Sequence, residues 1–231
     1  MMRLSMAKKL ALAALTAAAL AIATLGFGTS GQGSMTALTP NAAMAQETTP
    51  DAATAPLPEV PELVLGNADA PVTLIEYASY TCPHCANFHE TVFKDLKKDY
   101  IDSGKVKFVF REVYFDRYGL WASMVARCGG ETRYFGISGM LYEQQKEWAA
   151  SDDPTKVVES LKKIGRTAGM DDATIDACLG DAVMAQALVA KFQETSTADK
   201  VEGTPTLIIN GEKYGNMSYE DLKKILDEKL G

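Results

Sequence analysis

The residues best suited to chemistry in this chain are two cysteines separated by two residues, in Cys82-Pro83-His84-Cys85. This segment lies between a predicted strand and a predicted helix, with Pro83 at the first helical position, where proline is favoured. Cys82 then becomes the N-cap, and its sulfur faces the free N–H groups at the positive end of the helix dipole. Both features favour the thiolate, which is the reactive form of cysteine. We therefore expect Cys82 to be a nucleophile and a good leaving group, with Cys85 one turn away to close a disulfide.

Stabilisation of the thiolate also predicts the direction of the reaction. It favours the reduced dithiol, so the oxidised pair becomes a stronger oxidant and gives its disulfide away. His84 can add a hydrogen bond or a positive charge to the Cys82 sulfur, and the Pro-His pair favours donation over reduction. The leading prediction is an enzyme that donates the Cys82–Cys85 disulfide.

The same cysteines fit other kinds of site. A copper- or zinc-binding module would use Cys82, Cys85 and a histidine such as His89, although no second CxxC or HxxxH follows at ligand spacing. A purely structural disulfide between Cys82 and Cys85 would close a very small loop and restrain little. Within enzymes, a disulfide isomerase or reductase is the alternative. Known isomerases carry a separate dimerisation domain, for which we expect no room before residue 61.

Hydrophobic patterns predict the elements that hold the cysteines. Residues 72–77 form a short β-rich run that ends before the first cysteine, and a second strand is predicted for 106–113. After the cysteines, Phe88, Val92 and Leu96 recur with the spacing of one helical face. The two cysteines thus lie where a buried strand passes into a helix.

Helical periodicity then dominates from residue 119 to about 197. Within this block, helix starts are predicted at aspartates, namely Asp153, Asp171 or Asp172, and Asp181. Strand character returns at 206–209, and Asn210-Gly211 is a strong two-residue hairpin signal. Ser218 begins a capping box for the last helix. The order predicts an α/β domain divided in two by a helical insertion.

Length and composition limit the class of protein. The chain has 231 residues, of which 47% are apolar and 23% charged, as expected of one globular domain with an insertion. Residues 1–45 hold three basic residues and no acidic one, which leaves 20 basic against 30 acidic residues, a net −10, in the remainder. Such a surface repels phosphate backbones and anionic lipid, so nucleic-acid binding is not expected.

The N-terminus resembles an export signal. Arg3, Lys8 and Lys9 precede a weakly apolar stretch over 10–27, and Ala43-Met44-Ala45 offers a small-x-small cleavage site. We predict a signal over residues 1–45 and a proline-rich tether over 46–61; the alternative is an uncleaved anchor on the periplasmic face of the inner membrane. Either arrangement places the body in an oxidising compartment, where disulfides persist.

The chain resembles the DsbA family of periplasmic thiol:disulfide oxidoreductases. The resemblance is carried by the run from Glu76 to Cys85, by Phe88, and by Gly203-Thr204-Pro205-Thr206 far downstream. It implies a thioredoxin-like fold in two segments, 62–118 and 198–231, with a helical insertion over 119–197. It also implies reduced, exported client proteins and a quinone-linked DsbB-type membrane oxidant as partners. We expect a monomer with no cofactor and no metal.

The resemblance assigns further roles around the cysteines. Pro205 would be a cis proline packed against the redox disulfide, which leaves the Thr204 backbone free to pair with an extended substrate. Glu76 would be a buried acid that helps to move the Cys85 proton. The lysine that partners this acid in some members has no counterpart here, because Phe110 and Arg111 fall at and beside its position.

Cys128 and Cys178 form a second pair in the helical block, each on the apolar face of its own helix. A subset of the family has a permanent disulfide in this region. Such a bond would close a loop of about 50 residues and restrain the unfolded chain by about 4 kcal/mol. The alternative is two buried free thiols that pack as small hydrophobes.

Overall fold

The computed structural model describes residues 56–231, so the predicted export signal, its cleavage site and the tether as far as residue 55 lie outside the described residues. Within the described part, one mixed sheet has the strand order β1-β3-β2-β4-β5. The strands are β1 Leu63–Leu65, β2 Val72–Ala78, β3 Val106–Glu112, β4 Thr206–Ile209 and β5 Glu212–Tyr214. The central strand β2 leads directly to the Cys82 segment.

The pairing of the strands explains how a chain in two segments makes one sheet. β2 runs parallel to β3 and antiparallel to β4, while β1 and β5 extend the edges in antiparallel pairs. Asn210 and Gly211 have φ values of 48° and 87°, the left-handed conformation that a two-residue hairpin requires, so this prediction is confirmed. β1 was not predicted, because three residues with one buried side chain leave almost no pattern.

A continuous helix begins immediately after Cys82, includes Cys85 and is called here the first helix, residues 83–101. It consists of α1 (Pro83–Phe88) and α2 (Lys94–Leu96), each followed by a π-helical turn, at His89–Phe93 and Lys97–Ile101. The remaining helices are α3 Arg117–Cys128, α4 Glu131–Glu143, α5 Gln145–Trp148, α6 Pro154–Thr167, α7 Asp172–Leu179, α8 Ala182–Ala198 and α9 Tyr219–Leu230. Within residues 56–231 no single helix is long and apolar enough to cross a membrane, although α7 and α8, bent by 57° at their junction, together have the length and composition.

The helical block runs from Arg117 to Ala198, against the predicted 119–197. Its aspartate caps are present: Asp153, Asp171 and Asp181 each accept a backbone N–H of the helix that they begin. α4 and α5 were not predicted. α4 begins at Gly130, which offers no side-chain cap, so the sequence carries no start signal for it.

The main core lies between one face of the sheet, the first helix and the helical block. It includes Leu74 of β2, Phe88 of the first helix and Phe108 of β3. Because side chains alternate along a strand, Glu76 shares the face of Leu74 and points into this core. Tyr77 faces the opposite way, into a smaller cluster with Val113 and Ile208.

Candidate active site

Cys82 occupies the N-cap of the first helix. Its backbone is extended (φ −84°, ψ 118°), and Pro83 follows at the start of the helix, as the sequence predicts. Cys82 is 9% exposed and Cys85 is fully buried, and both are free thiols. The N-cap sulfur is therefore the one that a partner thiol can reach.

The pKa of Cys82 is lowered from its ordinary value to about 5. The largest cause is a hydrogen bond from the Cys85 thiol, which outweighs the opposing effect of burial. The backbone N–H groups of Cys85 and His84 lower the pKa further. Specific donors at the start of the helix thus stabilise the Cys82 thiolate. At neutral pH the thiolate is therefore the main form of Cys82.

Cys85 behaves in the opposite way. Its hydrogen bond to the Cys82 sulfur, its burial and the charge of Glu76 all raise the pKa of the Cys85 thiol far above the ordinary value. The two sulfurs therefore share one proton unequally, with Cys82 as the anion and Cys85 as the donor.

The loop before β4 completes the surroundings of Cys82. The Thr204–Pro205 peptide bond is cis. The Cys82 thiol, when protonated, donates to the Thr204 carbonyl oxygen at 3.5 Å. The Thr204 hydroxyl oxygen is buried and has no hydrogen-bond partner within the described residues. The structure thus brings together Cys82 and Thr204, which lie 122 residues apart in sequence.

Two side chains that sequence reasoning missed hold the loop before the cysteines. Gln145 of α5 donates to the carbonyl oxygens of Tyr80 and Cys82, at 2.8 and 2.9 Å. Asp116 caps α3 and accepts a hydrogen bond from the Thr81 hydroxyl at 2.6 Å. Both tie the helical block to the Cys82 segment, and only the tertiary structure reveals them.

Glu76 lies fully buried in the core beneath the cysteines, with its Oε2 3.0 Å from Nε2 of His89. Its second oxygen, Oε1, has no hydrogen-bond partner within residues 56–231. The charge of Glu76 contributes to the raised pKa of the Cys85 thiol. The partner of this acid is therefore a histidine of the first helix.

In some family members a lysine partners the buried acid, but neither Phe110 nor Arg111 places a positive charge on Glu76 here. Phe110 is the residue opposite Glu76 in the parallel register and is buried. The Arg111 guanidinium donates instead to the Tyr77 hydroxyl and to Asp199, at 2.7 and 2.8 Å.

The other histidine, His84, is exposed, and its side chain makes no hydrogen bond within the described residues. It contributes its backbone N–H to the Cys82 site. Residues 56–231 contain no cluster of three or more His, Cys, Asp or Glu side chains arranged to hold a metal ion. The candidate third ligand His89 is engaged with Glu76, so the structure assembles no Cys82/Cys85/His89 metal site.

The second cysteine pair lies outside this site. Cys128, at the end of α3, and Cys178, in α7, form a disulfide with a Cα–Cα distance of 6.0 Å. The bond ties together two helices of the helical block.

A second buried carboxylate, Glu112 at the end of β3, joins the sheet to the helical block. Arg127 donates two hydrogen bonds to it, at 2.6 and 2.8 Å, and Tyr134 donates a third at 2.9 Å. The Tyr134 hydroxyl also bonds to that of Tyr80, at 2.7 Å, two residues before Cys82. No pattern in the sequence indicated that these residues would meet.

With this geometry established, the chain can be compared with known proteins. A family profile described as thioredoxin matches residues 59–228. A protein of Rickettsia felis, named as a protein-disulfide oxidoreductase, is 36% identical over 170 residues, which are 73% of this chain and 60% of that protein. The chain thus spans less than two thirds of the length of that relative. Disulfide bond formation protein D of Bacillus subtilis is 28% identical over 72% of this chain and 76% of its own length.

Solved structures show the same fold. The crystal structure of α-DsbA1 from Wolbachia pipientis superposes with a TM-score of 0.69 and 26% identity, over 76% of this chain and 94% of the other. Oxidised BdbD of Bacillus subtilis gives a TM-score of 0.65 at 24% identity, over 73% of this chain and 92% of the other. The similarity covers both the sheet and the helical block.

Proposed function

The chain belongs to the DsbA-like family of thioredoxin-fold disulfide oxidoreductases, and on this premise we propose that it oxidises reduced, exported proteins by donating the Cys82–Cys85 disulfide. One observation carries the proposal: the Cys82 thiolate is stabilised at the start of the first helix, with a pKa of about 5. A thiol that ionises so readily is a good leaving group and makes its disulfide oxidising.

The reaction proceeds by two exchanges. A client thiolate attacks Sγ of Cys82, the Cys82–Cys85 bond breaks, and its electron pair remains on Cys85, which takes up a proton. The second client thiol loses its proton and attacks the client sulfur of the mixed disulfide, and Cys82 leaves as the stabilised thiolate. The client loses two electrons and the cysteine pair gains them.

The reduced pair must then be reoxidised. Family membership supports a quinone-linked membrane protein of the DsbB type as the oxidant, and reduced, partly folded secreted proteins as clients. The backbone of Thr204, beside Cys82, is the proposed contact for an extended client segment.

We also propose that the protein works in the periplasm. The basic and apolar pattern of residues 1–45 supports export. The Cys128–Cys178 disulfide supports an oxidising compartment, where such bonds persist. Cell fractionation, with mass measurement of the mature N-terminus, distinguishes a cleaved signal from an anchor.

The direction of exchange can be tested by equilibrating the Cys82–Cys85 pair with glutathione buffers. We expect a reduction potential above about −180 mV, the value typical of protein disulfide isomerase. A potential near the −270 mV or so of thioredoxin would contradict the oxidase. The same protein is then assayed on reduced and on scrambled ribonuclease. Faster oxidation of the reduced substrate supports the oxidase, and faster rescue of the scrambled one supports an isomerase.

A further inference from the structure

The carboxylate beneath the cysteines is incompletely bonded. Glu76 is fully buried, one of its oxygens bonds to His89, and Oε1 has no partner within the described residues. Burial of a carboxylate oxygen without a hydrogen bond is unfavourable, because the oxygen loses its water and gains no other donor. Such an atom in a folded protein therefore calls for an explanation. The charge of Glu76 also acts on Cys85, the sulfur whose proton must come and go, by raising the pKa of its thiol.

His89 is held firmly in the orientation that meets Glu76. It lies four residues after Cys85 on the first helix, where side chains share a face. Its ring stacks on Tyr142 of α4, with centroids 4.1 Å apart, and packs against Phe93 at 4.6 Å. Phe110 of β3 approaches the ring edge-on. The ring therefore has little freedom to leave the carboxylate.

His89 also connects the buried acid to the outside of the protein. It lines a groove of about 660 Å³ between the first helix and α4, and Pro83 lies at the same groove. His89 itself is only 8% exposed, so it forms a boundary between the core and this groove. A proton that leaves Glu76 through Nε2 of His89 thus has a short route to solvent.

The other ionisable groups near His89 belong to three elements. Glu76 of β2 bonds to it, Cys85 precedes it on the first helix, and the Tyr142 hydroxyl lies on α4. The charged side chains that line the groove are Glu90, Lys94, Lys97, Glu143 and Lys146. Among the described residues, none of these charged groups makes a hydrogen bond or ion pair with Glu76, so His89 is its direct partner.

We propose that His89 is the proton-transfer partner of Glu76 and the route by which the Cys85 proton exchanges with solvent. When the Cys82–Cys85 bond breaks, Cys85 takes a proton from Glu76, and Glu76 recovers it from His89, which takes one from groove water. In the reverse exchange, Cys85 gives its proton to Glu76 before attacking the mixed disulfide. His89 touches neither sulfur nor client and is a positioning residue. The inference rests on exchange at Cys82–Cys85, in either direction, and does not depend on the oxidase being its main role.

The test is single-turnover exchange between the oxidised protein and dithiothreitol, measured as a function of pH in the wild type, His89→Gln, Glu76→Gln and the double variant. General acid–base groups contribute about 10²-fold or more. We expect each single variant to slow exchange by at least about tenfold, and the double variant to be no slower than the worse single one. The pH dependence of the exchange rate should differ between wild type and His89→Gln, because the variant lacks a side chain that can pass a proton to Glu76. Lys94→Gln, on the wall of the same groove, is the matched control and should exchange at the wild-type rate.

Chemical rescue separates proton transfer from a packing role. In His89→Ala the vacated ring position adjoins the groove, and added imidazole should restore exchange at least severalfold, whereas Glu76→Gln should not respond. An unchanged rate and pH profile in His89→Gln, additive losses in the double variant, or failure of imidazole to rescue would each overturn the inference. If the wild type itself showed no exchange, the proposed function would fail as well, so the two failures are distinguishable.

Discussion

The two cysteine pairs of this chain are built in opposite ways. Cys82 and Cys85 are three residues apart at the start of a helix, and the structure holds them as free thiols. Cys128 and Cys178 are 50 residues apart, join α3 to α7 and form a disulfide. The first pair restrains almost nothing when it closes, and its energy is set by the stability of a thiolate. The second pair closes a long loop and joins two helices. In this chain the free pair lies at a helix N-terminus and the bonded pair joins two helices.

Two buried carboxylates show a similar contrast. Glu112 accepts four hydrogen bonds, two of them from Arg127, whose positive charge balances that of the carboxylate. Glu76 has a single partner and one open oxygen. A fully bonded carboxylate holds elements together, while an incompletely bonded one beside a reacting group can accept or donate a proton.

The largest expected difference between the two cysteine pairs is in the rate of thiol–disulfide exchange. Cys82→Ser should reduce thiol–disulfide exchange to the uncatalysed background, because a hydroxyl at the N-cap cannot form the mixed disulfide. The double variant Cys128→Ser/Cys178→Ser should keep a rate within about threefold of wild type, since that pair lies outside the site. Both are measured by oxidation of a reduced client peptide. Comparable losses in the two variants would remove the distinction between a reactive and a structural pair.

The next effect is on stability. Loss of the Cys128–Cys178 bond should lower the free energy of unfolding by about 4 kcal/mol, because it frees a loop of about 50 residues in the unfolded chain. The change is best measured by urea unfolding of Cys128→Ser/Cys178→Ser in a Cys82→Ser/Cys85→Ser background, with that background as control. A difference below about 1 kcal/mol would show that the bond contributes little to the fold.

A smaller effect on the free energy of unfolding is expected from a change in pH. In the reduced protein the folded pKa of Cys82 is about 5, below the value of about 8.5 for an unfolded cysteine. A depressed pKa adds stability at pH values above the folded pKa, and this stability is lost as the pH falls through 5. Relative to Cys82→Ser, reduced wild type should gain on the order of 2 kcal/mol between pH 5 and 7. A difference that does not change with pH would contradict an acidic Cys82.

Much of the fold could be predicted because its signals are local. The strand before the cysteines, the aspartate caps and the Asn210-Gly211 hairpin each depend on a few neighbouring residues. α4 was not predicted, because its N-cap residue is Gly130, which has no side chain to cap the helix. β1 is only three residues long. Where an element lacks its own start signal, tertiary packing alone defines it.

The candidate site, too, could be predicted only where its signals are local in sequence. The N-cap position of Cys82 follows from the position of Pro83, and the structure bears it out. The partner of Glu76 was not predicted, because it depends on how the first helix lies over β2. His89 carried one signal, its place one turn after Cys85 on a mainly apolar helix face. The sequence alone suggested a metal ligand there as well.

Whether Cys82 is an anion at neutral pH can be measured by the ultraviolet absorbance of its thiolate. In the reduced protein a single sulfur should ionise with a pKa of about 5. That transition should be absent from Cys82→Ser, because burial and the charge of Glu76 still favour the protonated Cys85 thiol. In Cys85→Ala the pKa of Cys82 should rise, since the Cys85 thiol is its strongest donor. A reduced wild-type protein in which Cys82 titrates near the ordinary 8.5 or so would contradict the account.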